Sequence, residues 1–187
     1  MFNFNPKPAE PEFTFRLVDH TDICFIHEVR NSAREFLHDN RQFSLQDVIE
    51  FVVIKKPQWY IIEWNTETQY ANPHGKRVGY FRTAHKSKED KFLEIGADVH
   101  EGFRGRGIAK RAYKQFIDQF FKDGGMALHL KVLAANTRAL NLYLNLGFKI
   151  REPVEFITRP AGFVRDRKVE ASFDMVLWKK DWDERTT

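Results

Sequence analysis

Residues 104–109 read RGRGIA, set between the largely apolar run LEIGADVHEGF and the basic, aromatic-striped run KRAYKQFIDQF. Two glycines and two arginines at the exit of a strand and the entrance of a helix are the ingredients of an anion site. The first amides of a helix have no intrahelical acceptor and carry a partial positive charge, and glycine lets a backbone come close to a phosphate. A diphosphate is the ligand such a turn would hold. Gly102, Gly105 and Gly107 do not have the GxGxxG spacing of a Rossmann fingerprint, and GxxxxGK[ST] is absent, so neither of those nucleotide folds is indicated. Taken alone, Gly105 and Gly107 are equally consistent with a tight strand-to-helix turn that binds nothing.

The flanking segments add groups that could move protons. Period-two geometry places Glu94, Asp98 and His100 on one strand face if no bulge intervenes, and Gly96 is where a bulge is expected. Such a bulge would split the face. Downstream, NTRALNLYLNLGF reads as a helix with Asn136 as its N-cap and Gly147 at its end, and Tyr143 shares a stripe with Ala139 and Leu146. Core packing is the ordinary role of a tyrosine so placed. The single cysteine, Cys24, excludes an internal disulfide and a multi-cysteine zinc site, no metal is called for, and the thiol is expected to be buried in the first helix.

The elements that must position these groups follow from periodicity. Residues 1–12 carry three prolines and read as an irregular arm ahead of a domain spanning 13–180. FTFRLVD (13–19) is a strand, residues 22–38 are helical, and Ser44 with Asp47 forms a capping signature for a second helix ending near Pro57. Strands follow at 59–64, 77–84 and 91–99. The helix after the glycines places Ile108, Ala112, Phe116 and Phe120 four apart, and Gly124 and Gly125 stop it. ALHLKVL, FKIRE and ASFDMVLWK are the remaining strands. The order β-α-α-β-β-β-α-β-α-β-β predicts a single-domain α/β fold with a sheet of mixed direction.

At 187 residues, with 42% hydrophobic content, eighteen Phe and four Trp, the chain can bury a substantial core. A net charge of +4 is a modest basic surplus spread along the sequence, which permits nucleic-acid binding without indicating it. The run RPAGFVRDRK (159–168) contains Asp166 and precedes Glu170, as a solvated loop does. Nothing approaches the ~20 apolar residues of a membrane span, and MFNFNPKPAEPEF lacks a charged leader, so a soluble cytoplasmic protein is expected.

Arg104, Gly107 and Ala109 fit the pattern Arg/Gln-x-x-Gly-x-Gly/Ala, and with the preceding strand and NTRALNLYLNLGFK they resemble the GNAT superfamily of acyl-coenzyme A-dependent N-acetyltransferases. The resemblance covers residues 13–179 by element order and is sharp from Glu94 to Phe148. It implies a mixed, mostly antiparallel sheet with splayed central strands and flanking helices. It also implies acetyl-coenzyme A as co-substrate, its pyrophosphate on the backbone of Arg104, Gly105, Arg106, Gly107, Ile108 and Ala109. Pantetheine would pair with Ala97, Asp98 and Val99, the N–H near Val99 serving as oxyanion donor, with further contacts from Asn136 and Ala139. Tyr143 takes the place of the general acid, a phenol with an ordinary pKa near ~10, and Glu94 the place of a base for an ammonium near ~10.4. Arg138 is set to meet a coenzyme phosphate.

Three functions compete: an N-acetyltransferase acting on a primary amine in a ternary complex, a non-catalytic coenzyme-binding or regulatory module, and a basic nucleic-acid-binding protein. The acceptor is expected to be a small-molecule amine (amino sugar, polyamine or antibiotic) or a protein N-terminus, and a homodimer is left open. Arg30, Arg34, Arg41, Phe43 and Phe51, with Phe156, Arg159, Phe163 and Arg165, are the residues expected to embrace it.

Overall fold

Alternating Phe13, Phe15 and Leu17 form β1 (Phe13–Leu17), which pairs antiparallel with β2 (Tyr60–Trp64); β3 (Arg77–His85) and β4 (Phe92–Val99) continue the meander. A computed structural model describes residues 11–65, 74–85, 91–160 and 167–186, so most of the expected arm lies outside the described residues. From β4 the chain crosses through α3 (Ile108–Lys122) to β5 (Ala127–Leu133), parallel to β4. After α4 (Thr137–Leu146), β6 (Lys149–Pro160) and β7 (Arg167–Trp178) form a hairpin whose second strand inserts beside β5. The seven-stranded order is β1-β2-β3-β4-β5-β7-β6. The element order expected from periodicity is present, followed by an unforeseen polar helix, α5 (Lys179–Thr186).

Helices cover both faces. On one, α3 and α4 bury Ile108, Ala112, Tyr113, Ile117, Tyr143 and Leu146 with Phe81, Leu93 and Ile95 of the sheet. The stripe on α3 differs from the expected one: Tyr113, Ile117 and Phe121 are buried, while Phe116 and Phe120 pack at its margin. A strict spacing of four drifts about 40° per step on a helix of 3.6 residues per turn, so the stripe must slip by one to stay on the sheet. On the other face, α1 (Ile23–Ala33) and α2 (Leu45–Ile49) bury Phe25, Ile26, Val29 and Val48 against Ile61 and Tyr80.

The entry to α1 is fixed by charge. Asp22, fully buried, receives two hydrogen bonds from Arg16 at 2.8 and 2.7 Å and a third from Arg77 at 3.3 Å. Ser44 and Asp47 cap α2 reciprocally, as predicted, and a π-helical turn (Glu50–Lys55) prolongs it to Lys56, which sits at φ 46°. Cys24 is exposed, contrary to expectation, because the buried face of α1 runs through Phe25, Ile26, Val29, Arg30 and Ala33. Among the described residues no helix is long and apolar enough to cross a membrane.

Candidate active site

The central strands part where the coenzyme was expected. β4 pairs with β5 only at Phe92–Ala127, Leu93–Leu128 and Glu94–His129, whereas β4 keeps β3 as far as Val99 and β5 keeps β7 along its length. Each strand follows its outer neighbour, and a wedge opens between them. Its origin is not the expected bulge: the β3–β4 register runs unbroken through Arg82–Gly96. The His100 amide donates to the Val78 carbonyl at 3.0 Å, so Gly79 and Val99 form a non-hydrogen-bonded pair. The backbone groups of Val99 and, two residues back, Ala97 therefore face the wedge, while those of Asp98 are turned to β3. Of the three residues expected to pair with pantetheine, two are oriented for it.

The wedge opens into a cavity of about 880 Å³ that reaches the glycine turn. Gly105 and Gly107 have φ of 81° and 73°, left-handed values that other residues adopt only with strain. Gly107 is the N-cap of α3 and offers no side chain to its first amides, so those donors stay open to a ligand. Gly105, Gly107, Ile108, Ala109 and Lys110 line the cavity. The two arginines behave differently. Arg104 turns inward to donate to the Val99 carbonyl at 2.9 Å and Ser32 Oγ at 2.8 Å, tying the turn to β4 and α1. Arg106 lies over the rings of Trp64 and Phe103, outside the cavity lining, which leaves only its backbone for the turn.

Opposite the turn, α4 brings in Asn136, Arg138, Ala139 and Tyr143. Asn136 caps the helix through the Ala139 amide at 3.2 Å. Tyr143 is 7% exposed and accepts a 3.3 Å hydrogen bond from the hydroxyl of Tyr113. Burial raises the Tyr143 phenol above its ordinary pKa, and the bond from Tyr113 and the charge of Arg82 pull it partly back. The hydroxyl is thus held protonated at neutral pH.

Arg82, Asp98 and Glu94 share one face of β3 and β4, since Arg82 lies opposite Gly96 and no bulge breaks the alternation. Glu94 lines the cavity at the last paired position before the wedge. Arg82 Nε lies 3.1 Å from Asp98 Oδ2, off the line of a hydrogen bond, so charge rather than a directed bond holds this pair. Burial works against the Arg82 cation, and Asp98 together with the hydroxyls of Tyr80, Tyr143 and Tyr113 more than restores it. Gly96 makes the arrangement possible, because a Cβ there would lie 2.8 Å from the guanidinium. Arg82 was not singled out in the sequence, and the cross-strand register that places it is not a local signal. Lys110, one residue beyond RGRGIA, could have been found from the motif.

Of the residues expected around an acceptor, Arg30 alone lines the cavity among those described. Arg34 donates to Gln42, Arg41 holds Asp39, Phe43 lies beneath both Arg30 and Arg41, and Phe51 packs on Trp59. Phe156 is 74% exposed on β6; the side chain of Arg159, and Phe163 and Arg165, lie outside the described residues. At the far end of β4, the Glu28 carboxylate bridges His100 at 2.9 Å and His74 at 3.2 Å. His100 Nδ1 accepts from the Gly102 amide at 3.2 Å, so its Nε2 carries the proton given to Glu28 and is not free for a metal ion.

Residues 25–148 match the model of the acetyltransferase (GNAT) family. No curated protein matches the chain. Among solved structures, spermidine N-acetyltransferase from Vibrio cholerae, in complex with CoA and spermine, superposes with a TM-score of 0.69 at 15% identity, covering 92% of this chain and 99% of that one. A GNAT-family acetyltransferase from Bacillus anthracis gives 0.69 at 13% identity over 92% and 98%. The yncA protein of Salmonella typhimurium, solved with its cofactor acetyl-CoA, gives 0.61 at 17% identity over 89% and 94%. The fold is common to all three. Acetyl-coenzyme A is the co-substrate of the family whose model spans more than half of this sequence, and the chain belongs to that family, the GNAT acetyltransferases.

Proposed function

We propose that the chain transfers the acetyl group of acetyl-coenzyme A to a primary amine by direct attack within a ternary complex. The observation that carries this reading is one cavity joining the open amides of α3, the wedge between β4 and β5, and the Tyr143 hydroxyl. The amides of residues 105–109 bind the pyrophosphate, with Lys110 and Arg138 beside them. Pantetheine lies along Ala97 and Val99 as a surrogate strand, and Ala139 and Asn136 close the other side. The amine nitrogen attacks the thioester carbon, and the Val99 N–H stabilises the developing oxyanion. As the C–S bond breaks, Tyr143 gives its proton to the thiolate, and Glu94 takes the ammonium proton directly or through water.

Thiol release from acetyl-coenzyme A, followed across amino sugars, polyamines, aminoglycosides, amino acids and peptide N-termini, tests the proposal. Turnover with at least one amine is expected. A coenzyme-dependent thermal shift with no turnover on any acceptor would instead favour the non-catalytic module.

A further inference from the structure

Arg30 is the unusual group in the cavity wall. It is 8% exposed, in the last turn of α1, and makes no ion pair among the described residues. Its Nη2 donates to the Asp39 carbonyl at 2.8 Å and its guanidinium lies 4.7 Å from the Phe43 ring centroid, while Nη1 is buried without a hydrogen-bond acceptor. A buried guanidinium donor without an acceptor is costly unless something pairs with it. The acidic groups nearby are engaged: the Asp39 carboxylate holds Arg41, and Asp98 faces Arg82. Lys131, a third cation of the wall, is held by Glu155 at 2.8 Å. Arg30, Arg82, Asp98 and Tyr143 all line the one cavity, so they form a single neighbourhood.

We infer that the acceptor carries an oxyanion, a carboxylate or a similar group a few bonds from its amine, which Arg30 binds with Arg82 beside it. With Arg82 paired to Asp98, Arg30 Nη1 is the buried donor of this wall that still lacks an acceptor, and an oxyanion of the acceptor would complete it. This inference rests on the cavity being the acceptor site of the proposed transfer and narrows the acceptor class.

The experiment measures binding of product analogues to the coenzyme A-saturated protein by titration calorimetry. N-Acetylglycine, N-acetyl-β-alanine and N-acetylmethionine are each compared with their carboxamides, which differ in charge but hardly in shape. At least one acid is expected to bind about tenfold or more tightly than its amide, the scale of a charge-assisted hydrogen bond. Arg30→Met should bring that ratio close to one and Arg30→Lys should keep part of it, with the coenzyme-induced thermal shift as the control for folding. Acids and amides binding alike, neither binding, or a ratio unchanged in Arg30→Met would overturn the inference. A charge preference that stands without any acetyl transfer would overturn the proposed reaction and leave the anion site in place.

Discussion

At the scale of single residues, the site divides into groups that local sequence announces and groups that only pairing brings in. Tyr143 is announced by its place in NTRALNLYLNLGF, and its buried, protonated hydroxyl suits a proton donor. Tyr143→Phe keeps the ring, and steady-state assays with a competent amine should show turnover lower by about 10² to 10⁴, with the coenzyme-induced thermal shift retained. Wild-type turnover in that variant would assign Tyr143 to packing alone. The loss of an acceptor for the Tyr113 hydroxyl should cost about 1 kcal/mol, visible in the thermal midpoint. Arg82 is the opposite case: nothing around it in the sequence distinguishes it, and its role depends on Gly96 across the strand pair. Gly96→Ala should push the guanidinium off Asp98 and lower kcat/KM more than stability, which paired kinetic and melting measurements would separate.

At the scale of elements, the glycine turn was legible because its chemistry is local: φ signs, an uncapped helix start and basic neighbours lie within a few residues. The wedge was not legible in origin. Its cause lies in which neighbour each strand keeps, a property of the whole sheet that a glycine in one strand cannot report. The acceptor wall was least legible, since the exposure of Phe156 and the stacking of Phe51 are set by tertiary contacts. Gly107→Val places a β-branched residue at φ 73° with its Cβ near Arg111, a strain of about 1–3 kcal/mol. Relief of that strain would turn the first amides of α3 away, so the shift with millimolar coenzyme A should vanish in a scan where the variant still melts cooperatively. The clasp from α1 to the end of β4 has its own signature. The hydrogen bond from His100, with a smaller contribution from His74, lowers the Glu28 pKa below its usual 4.5. A depressed carboxylate contributes stability above its unfolded pKa and loses it as pH falls, so Glu28→Gln should lose less thermal stability than wild type between about pH 5 and about pH 3.

At the scale of the molecule, Ala97 and the amide of Val99 face a gap instead of a partner strand, the Val99 carbonyl being taken by Arg104. Saturating coenzyme A should stabilise the fold by about 2.7 kcal/mol at a hundred times its dissociation constant. Hydrogen exchange should slow most at these two amides and at the first turn of α3, and unchanged exchange there would place the ligand elsewhere. The three residue pairs that join β4 to β5 also have a mechanical meaning. Four strands on one side and three on the other form two plates meeting at a short seam, with Phe92, Leu93 and Glu94 as the hinge line. In the proposed complex coenzyme A would lie along the open notch and bridge both plates, a rivet as well as a reactant. One core under α3 and α4 also spans both plates, so melting should stay cooperative without coenzyme A and shift upward with it. A sheet built this way would be stiffest with the notch filled, so the short seam beside it would couple binding of the coenzyme to the rigidity of the whole molecule.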